Sequence, residues 1–111
     1  MKQIGIALIT GFSVIALIGV LGLGLMASQG RVDSNLHGMA AFLAGVLALG
    51  LHIRGGSGLD FLAVVLLVMA VGLGMMVSGG GVSREIHLWT AAFAVAVSTG
   101  TQVRNLLRPI E

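Results

Sequence analysis

Few side chains in this 111-residue chain can do chemistry: three histidines, four acidic and six basic residues, with no cysteine and no tyrosine. His37 and His52 bracket the apolar stretch LHGMAAFLAGVLALGLHIR, Leu36 to Arg54. His87 opens a second stretch of the same kind. A neutral imidazole ligates metals, and it takes up or releases a proton near neutral pH. Ionisable side chains inside a membrane-length apolar segment are costly and are read first as functional.

The spacing puts these residues on faces. His37, Ala41, Ala44, Ala48 and His52 follow one another in steps of three and four, as do His87, Ala91, Ala94, Ser98 and Gln102, so each set stacks along one side of a helix. The two sets are copies. Residues 11–54 laid on residues 61–104 without a gap give fourteen identities, densest where Gly22-Leu23-Gly24, Met26, Ser28 and Gly30 meet Gly72-Leu73-Gly74, Met76, Ser78 and Gly80. His37 falls on His87 and Arg54 on Arg104, whereas His52 falls on Gln102. The repeating unit is a two-helix hairpin, present twice in the same orientation. That predicts a bundle with a pseudo-two-fold axis along the membrane normal, with His37 and His87 at one depth and face to face. Opposed imidazoles with small side chains between them are the ligand set of a low-spin b-type haem. Two other readings are open: polar residues at span ends bonded to loops, or another metal or proton role. With no carboxylate expected inside the spans, a hard-metal site is disfavoured.

His52 is a separate question. Fifteen residues put it about 22 Å along the axis from His37, a spacing that suits a second haem, but about 60° round the helix. Its repeat partner, Gln102, is a poor haem ligand. A second haem, an interfacial histidine, and a ligand completed by another subunit are the three readings.

These faces need membrane helices. The chain is 57% hydrophobic and 9% charged, with a mean hydropathy of +1.08, too apolar for a water-soluble domain of its length. Four spans are expected, at Ile4–Ala27, Leu36–Ile53, Leu59–Ser78 and Ile86–Val103, each close to the roughly 20 residues that cross a bilayer. The expected fold is an all-α four-transmembrane-helix bundle forming one domain over residues 1–111, with repeat one at 1–54 and repeat two at 59–108. The first span is read as retained rather than as a signal peptide, because its pattern recurs inside the chain. Without alternation of polar and apolar residues, a membrane β-barrel is not expected. Lack of cysteine rules out disulfides and c-type haem attachment. A net charge of +2, scattered over loops and ends, gives no nucleic-acid footprint.

Asp33, Ser34 and Asn35 are cap candidates for the second span, Ser83 for the fourth and Asp60 for the third. The run Gly55-Gly56-Ser57-Gly58 is the turn between repeats, and Pro109 is expected to stop the last helix. Lys2, Arg54, Arg104 and Arg108 lie at one end of the bundle and Arg31 and Arg84 at the other. The basic excess places both termini in the cytoplasm and the chain in the cell inner (plasma) membrane. Several residues have two readings. Gly22, Gly24, Gly72 and Gly74 serve close helix packing or make room for a macrocycle. Arg31 and Arg84 anchor at the interface or pair with cofactor carboxylates. Trp89 anchors at the interface or packs on a porphyrin, and Met26 and Met76 fill the core or act as soft ligands.

A glycine-rich first helix, then a helix with histidines at both ends, and the pair duplicated, resembles the membrane b-type cytochromes. These include the cytochrome b subunits of membrane formate dehydrogenases and hydrogenases and the small duplicated-hairpin haem proteins related to them. The resemblance covers nearly the whole chain as a pattern. It implies that His37 and His87 are a haem-ligating, iron-binding pair, that His52 is half of a second pair from which Gln102 departs, and that the protein carries electrons between a quinone pool and membrane or periplasmic redox subunits. The alternatives are a non-haem accessory subunit of a larger membrane complex and a small four-span transporter. Against the transporter stands the expectation that acidic residues lie only in loops and at termini.

Overall fold

The computed structural model describes residues 2–108. Pro109, the expected stop of the last helix, lies outside them. Four helices follow one another: α1 (Lys2–Ser28), α2 (Ser34–Gly55), α3 (Gly58–Ser78) and α4 (Arg84–Leu107). The described residues are 88% helical and form no strand. Each helix begins one or two residues before its expected span, and α1, α2 and α4 also run one to four residues past it.

The ends are built alike in both repeats. Asp33 caps α2 by accepting from the Asn35 amide, and Ser83 caps α4 by accepting from the Ile86 amide. At the other end of each hairpin's first helix, Gly30 and Gly80 adopt φ of +73° and +79°. There the Arg31 amide donates back to the Met26 carbonyl and the Gly81 amide to the Met76 carbonyl, both at 2.9 Å. This closure satisfies the last carbonyls of α1 and α3, and only glycine takes the left-handed backbone without strain. The cap of α3 differs from expectation. Ser57 is the N-cap, and Asp60 is the third residue of a reciprocal capping box in which each side chain bonds the other's backbone.

The helices pack in ring order α1–α2–α3–α4, with α4 closing on α1. Across the centre α2 touches α4, while α1 and α3 do not meet. The histidine-bearing helices therefore form the short diagonal. The interior is small and partly polar: Ala44, Ala48, Ala63, Ala94, Ser13 and Ser98 are buried. The large apolar side chains, such as Ile4, Leu8, Phe12, Phe42, Phe61 and Leu107, point outward. That inversion suits lipid as the solvent, where small residues let helices approach and polar groups must be satisfied internally. Three helices (α1 from Gln3, α2 and α3) are long and apolar enough to cross a membrane. The fourth is 24 residues long but less apolar, because Ser98, Thr101 and Gln102 on it are turned into the bundle and buried.

Candidate functional site

The bundle carries a polar site at each end. At the end formed by the starts of α2 and α4, the rings of His37 and His87 lie with centroids 6.4 Å apart and planes at 64°. The Nδ1 atom of each is buried and has no hydrogen-bond partner. A buried nitrogen left unpaired costs about 1–3 kcal/mol. Each ring rests on a glycine of the preceding helix. A Cβ at Gly24 would stand 3.0 Å from His37 Cε1, and one at Gly74 would stand 2.9 Å from His87 Cε1. Here Gly24 and Gly74 make room for the imidazoles themselves, while Gly22 and Gly72 face open space. Arg84 donates from Nη1 to the Ser28 carbonyl at 3.2 Å, placing its charge at the negative end of α1. Trp89 is 73% exposed on the outer surface, and Met76 is exposed as well, so neither contributes to the interior.

At the opposite end, His52 is 1% exposed and forms the centre of a network drawn from three helices. Its Nδ1 lies 2.7 Å from Asp60 Oδ1, and its Nε2 lies 2.7 Å from Ser98 Oγ. Gln102 donates from Nε2 to the same Ser98 oxygen at 3.0 Å. Asp60, also 1% exposed, is surrounded by donors. Its Oδ2 accepts from the Ser57 hydroxyl at 2.6 Å and the Ser57 amide at 3.1 Å, and its Oδ1 accepts from Asn105 Nδ2 at 3.0 Å. Arg104 donates to Ser57 Oγ at 2.8 Å. Three donors besides the ring meet the carboxylate, an arrangement that favours the ionised carboxyl and a hydrogen on His52 Nδ1. Gly55 allows the approach: a Cβ there would meet Asp60 Oδ2 at 2.5 Å and Asn105 Nδ2 at 2.7 Å.

The order Ser98–His52–Asp60 is that of a hydrolytic triad, but the surroundings are not. Ser98 is fully buried within α4, where the backbone amides that would serve as an oxyanion hole are spent on helix bonds.

Sequence reasoning missed Asp60. The expectation that no carboxylate lies inside the bundle is incorrect, and with it goes the argument raised against a transporter. The signal was present: Ser57-x-x-Asp60 is a capping-box spacing. The box pulls the carboxylate back over the start of α3, beside the end of α2, because the turn between them is only two residues long. His52 is accordingly not an interfacial side chain, and both its ring nitrogens are engaged within the protein. Among the described residues, no three acidic or histidine side chains converge as a metal site.

The chain matches no protein-family model, no curated protein and no solved structure. The functional reading therefore rests on the two sites.

Proposed function

We propose that the chain is a four-span membrane cytochrome of the b type, holding one haem between His37 and His87 and passing electrons to and from partner redox subunits or quinone. The observation that carries this reading is the pair of facing imidazoles with unpaired buried nitrogens. The two rings stand with centroids 6.4 Å apart, and both would serve as nitrogen ligands to the iron of such a group. The repeat supports it too, since the pseudo-two-fold supplies two equivalent ligands to one central iron. When bound, the haem supplies reversible one-electron transfer at its iron.

The chain's own residues supply position. Gly24 and Gly74 seat the two rings, and inward of them Ala44 and Ala94 pack into the core with Leu17 and Leu67. His52 is not a ligand in this reading, because Asp60 and Ser98 hold both its nitrogens. All four helices span the membrane: α4 is about 36 Å long, and its Ser98, Thr101 and Gln102 are turned to the interior rather than to lipid. Both termini lie in the cytoplasm, on the side of Lys2, Arg54, Arg104 and Arg108, and the histidine pair lies near the outer face.

The test is an absorption spectrum of the protein purified in mild detergent after expression with ample haem. A Soret band that shifts on dithionite reduction is the expected result. A preparation without haem overturns the proposal and leaves the accessory-subunit reading in its place.

A further inference from the structure

We propose that His52 is a reversible proton-binding site inside the bundle, with Asp60 as its fixed counter-charge and Ser98 and Gln102 as the hydrogen bonds that rearrange when the proton binds. The hydrogen inventory carries this. Asp60 is ionised and His52 Nδ1 bears a hydrogen, so in the neutral ring Nε2 is a bare lone pair. It accepts from the Ser98 hydroxyl, and that oxygen in turn accepts from Gln102 Nε2. A proton arriving from water binds at Nε2. The ring then donates to Ser98 Oγ, and the Ser98 hydrogen must find another acceptor. Two lie within reach: the carbonyl one turn earlier in α4, and the amide oxygen of Gln102. That oxygen is buried and has no partner, and the amide is tied to the network by a single bond, so it is free to turn and present it. No bond breaks other than hydrogen bonds.

The other charges are held away from the ring. From α3 only Asp60 faces the ring. From α4 the nearest charge is Arg104, held on Ser57 and Asn105 rather than on the imidazole. From Gln3 to Ser28 α1 has no titratable side chain, and Arg54 on α2 is exposed. Asp60 is therefore the charge that directly faces a proton on His52. The repeat-equivalent position offers no such site, since Thr10 and Gln102 stand where Asp60 and His52 do.

The experiment is long-range proton–nitrogen NMR on full-length protein with nitrogen-15 histidine, in lipid nanodiscs. His52 is assigned by elimination with H37Q and H87Q, so no variant of the cluster has to fold. The wild type is expected to show the Nδ1-protonated neutral ring at the high-pH end of the series and both nitrogens protonated at the low-pH end. D60N, which keeps the shape but removes the counter-charge, is expected to leave the ring neutral across the same series. A wild-type His52 that stays in one protonation state throughout, or a D60N variant that titrates as the wild type does, overturns the proposal.

Discussion

Asp60 and His52 meet at 2.7 Å across the turn that joins the two halves of the chain. The contact belongs to one half only, since their repeat equivalents are Thr10 and Gln102. A duplicated bundle has thus kept its symmetry at one end, where His37 faces His87, and broken it at the other. Burying an ionised group is costly unless it is fully paired. The five hydrogen bonds that gather on the Asp60 and His52 side chains meet that requirement.

Removing both members should therefore cost less than the two single removals added together. D60L or H52L leaves a polar partner buried and unpaired, and each is expected to destabilise the fold by about 3–5 kcal/mol. The D60L/H52L double variant should lose clearly less than the sum. Unfolding by SDS titration in mixed micelles measures this, and additive losses would show that the two side chains do not interact.

Gly55 is a second lever on the same cluster. In G55A the new methyl carbon meets Asp60 and Asn105 at distances no relaxed side chain tolerates. Overpacking of this kind costs about 1–3 kcal/mol. G50A adds its carbon where nothing stands within 4 Å, so its stability in the same titration should be no lower than the wild type's. Equal losses in the two variants would mean that Gly55 is not the site of close approach.

At the other end, the seats of the imidazoles can be filled. G24L and G74L would displace His37 and His87, and each is expected to lower haem content at least tenfold, judged by haem-to-protein ratio after purification. G22A and G72A point into open space and should retain it. Unchanged haem in G24L and G74L would detach the glycines from the ligand pair.

The four helices, their pairing and the opposition of His37 to His87 were legible in the sequence, because a fifty-residue shift carries the hairpin onto itself and symmetry then dictates what faces what. Asp60 was not, for a physical reason. A capping-box carboxylate normally faces solvent at a helix start, and only the tight Gly56 turn and the bare Gly55 backbone draw this one inward. The role of Gly24 and Gly74 was half legible. Small residues were expected near the site, but the group they admit in this fold is the imidazole.

Topology has its own test. If both termini are cytoplasmic and all four helices cross, a periplasm-active reporter fused at the C-terminus should be silent. A strongly active fusion would require an odd number of spans or the opposite insertion, and α4 would be the first helix to question.

The central claim is that His37 and His87 together hold one iron. Bis-imidazole ligation makes the iron low-spin and leaves no open position, so the reduced wild type should bind carbon monoxide poorly. The most direct measurement is the reduced spectrum of the wild type, H37A and H87A, with and without carbon monoxide. The expected result is a low-spin haem in the wild type that is lost, or converted to a high-spin, carbon-monoxide-binding form, to the same extent in both variants. A wild type that purifies without haem, or a low-spin spectrum that survives in either variant, would contradict it.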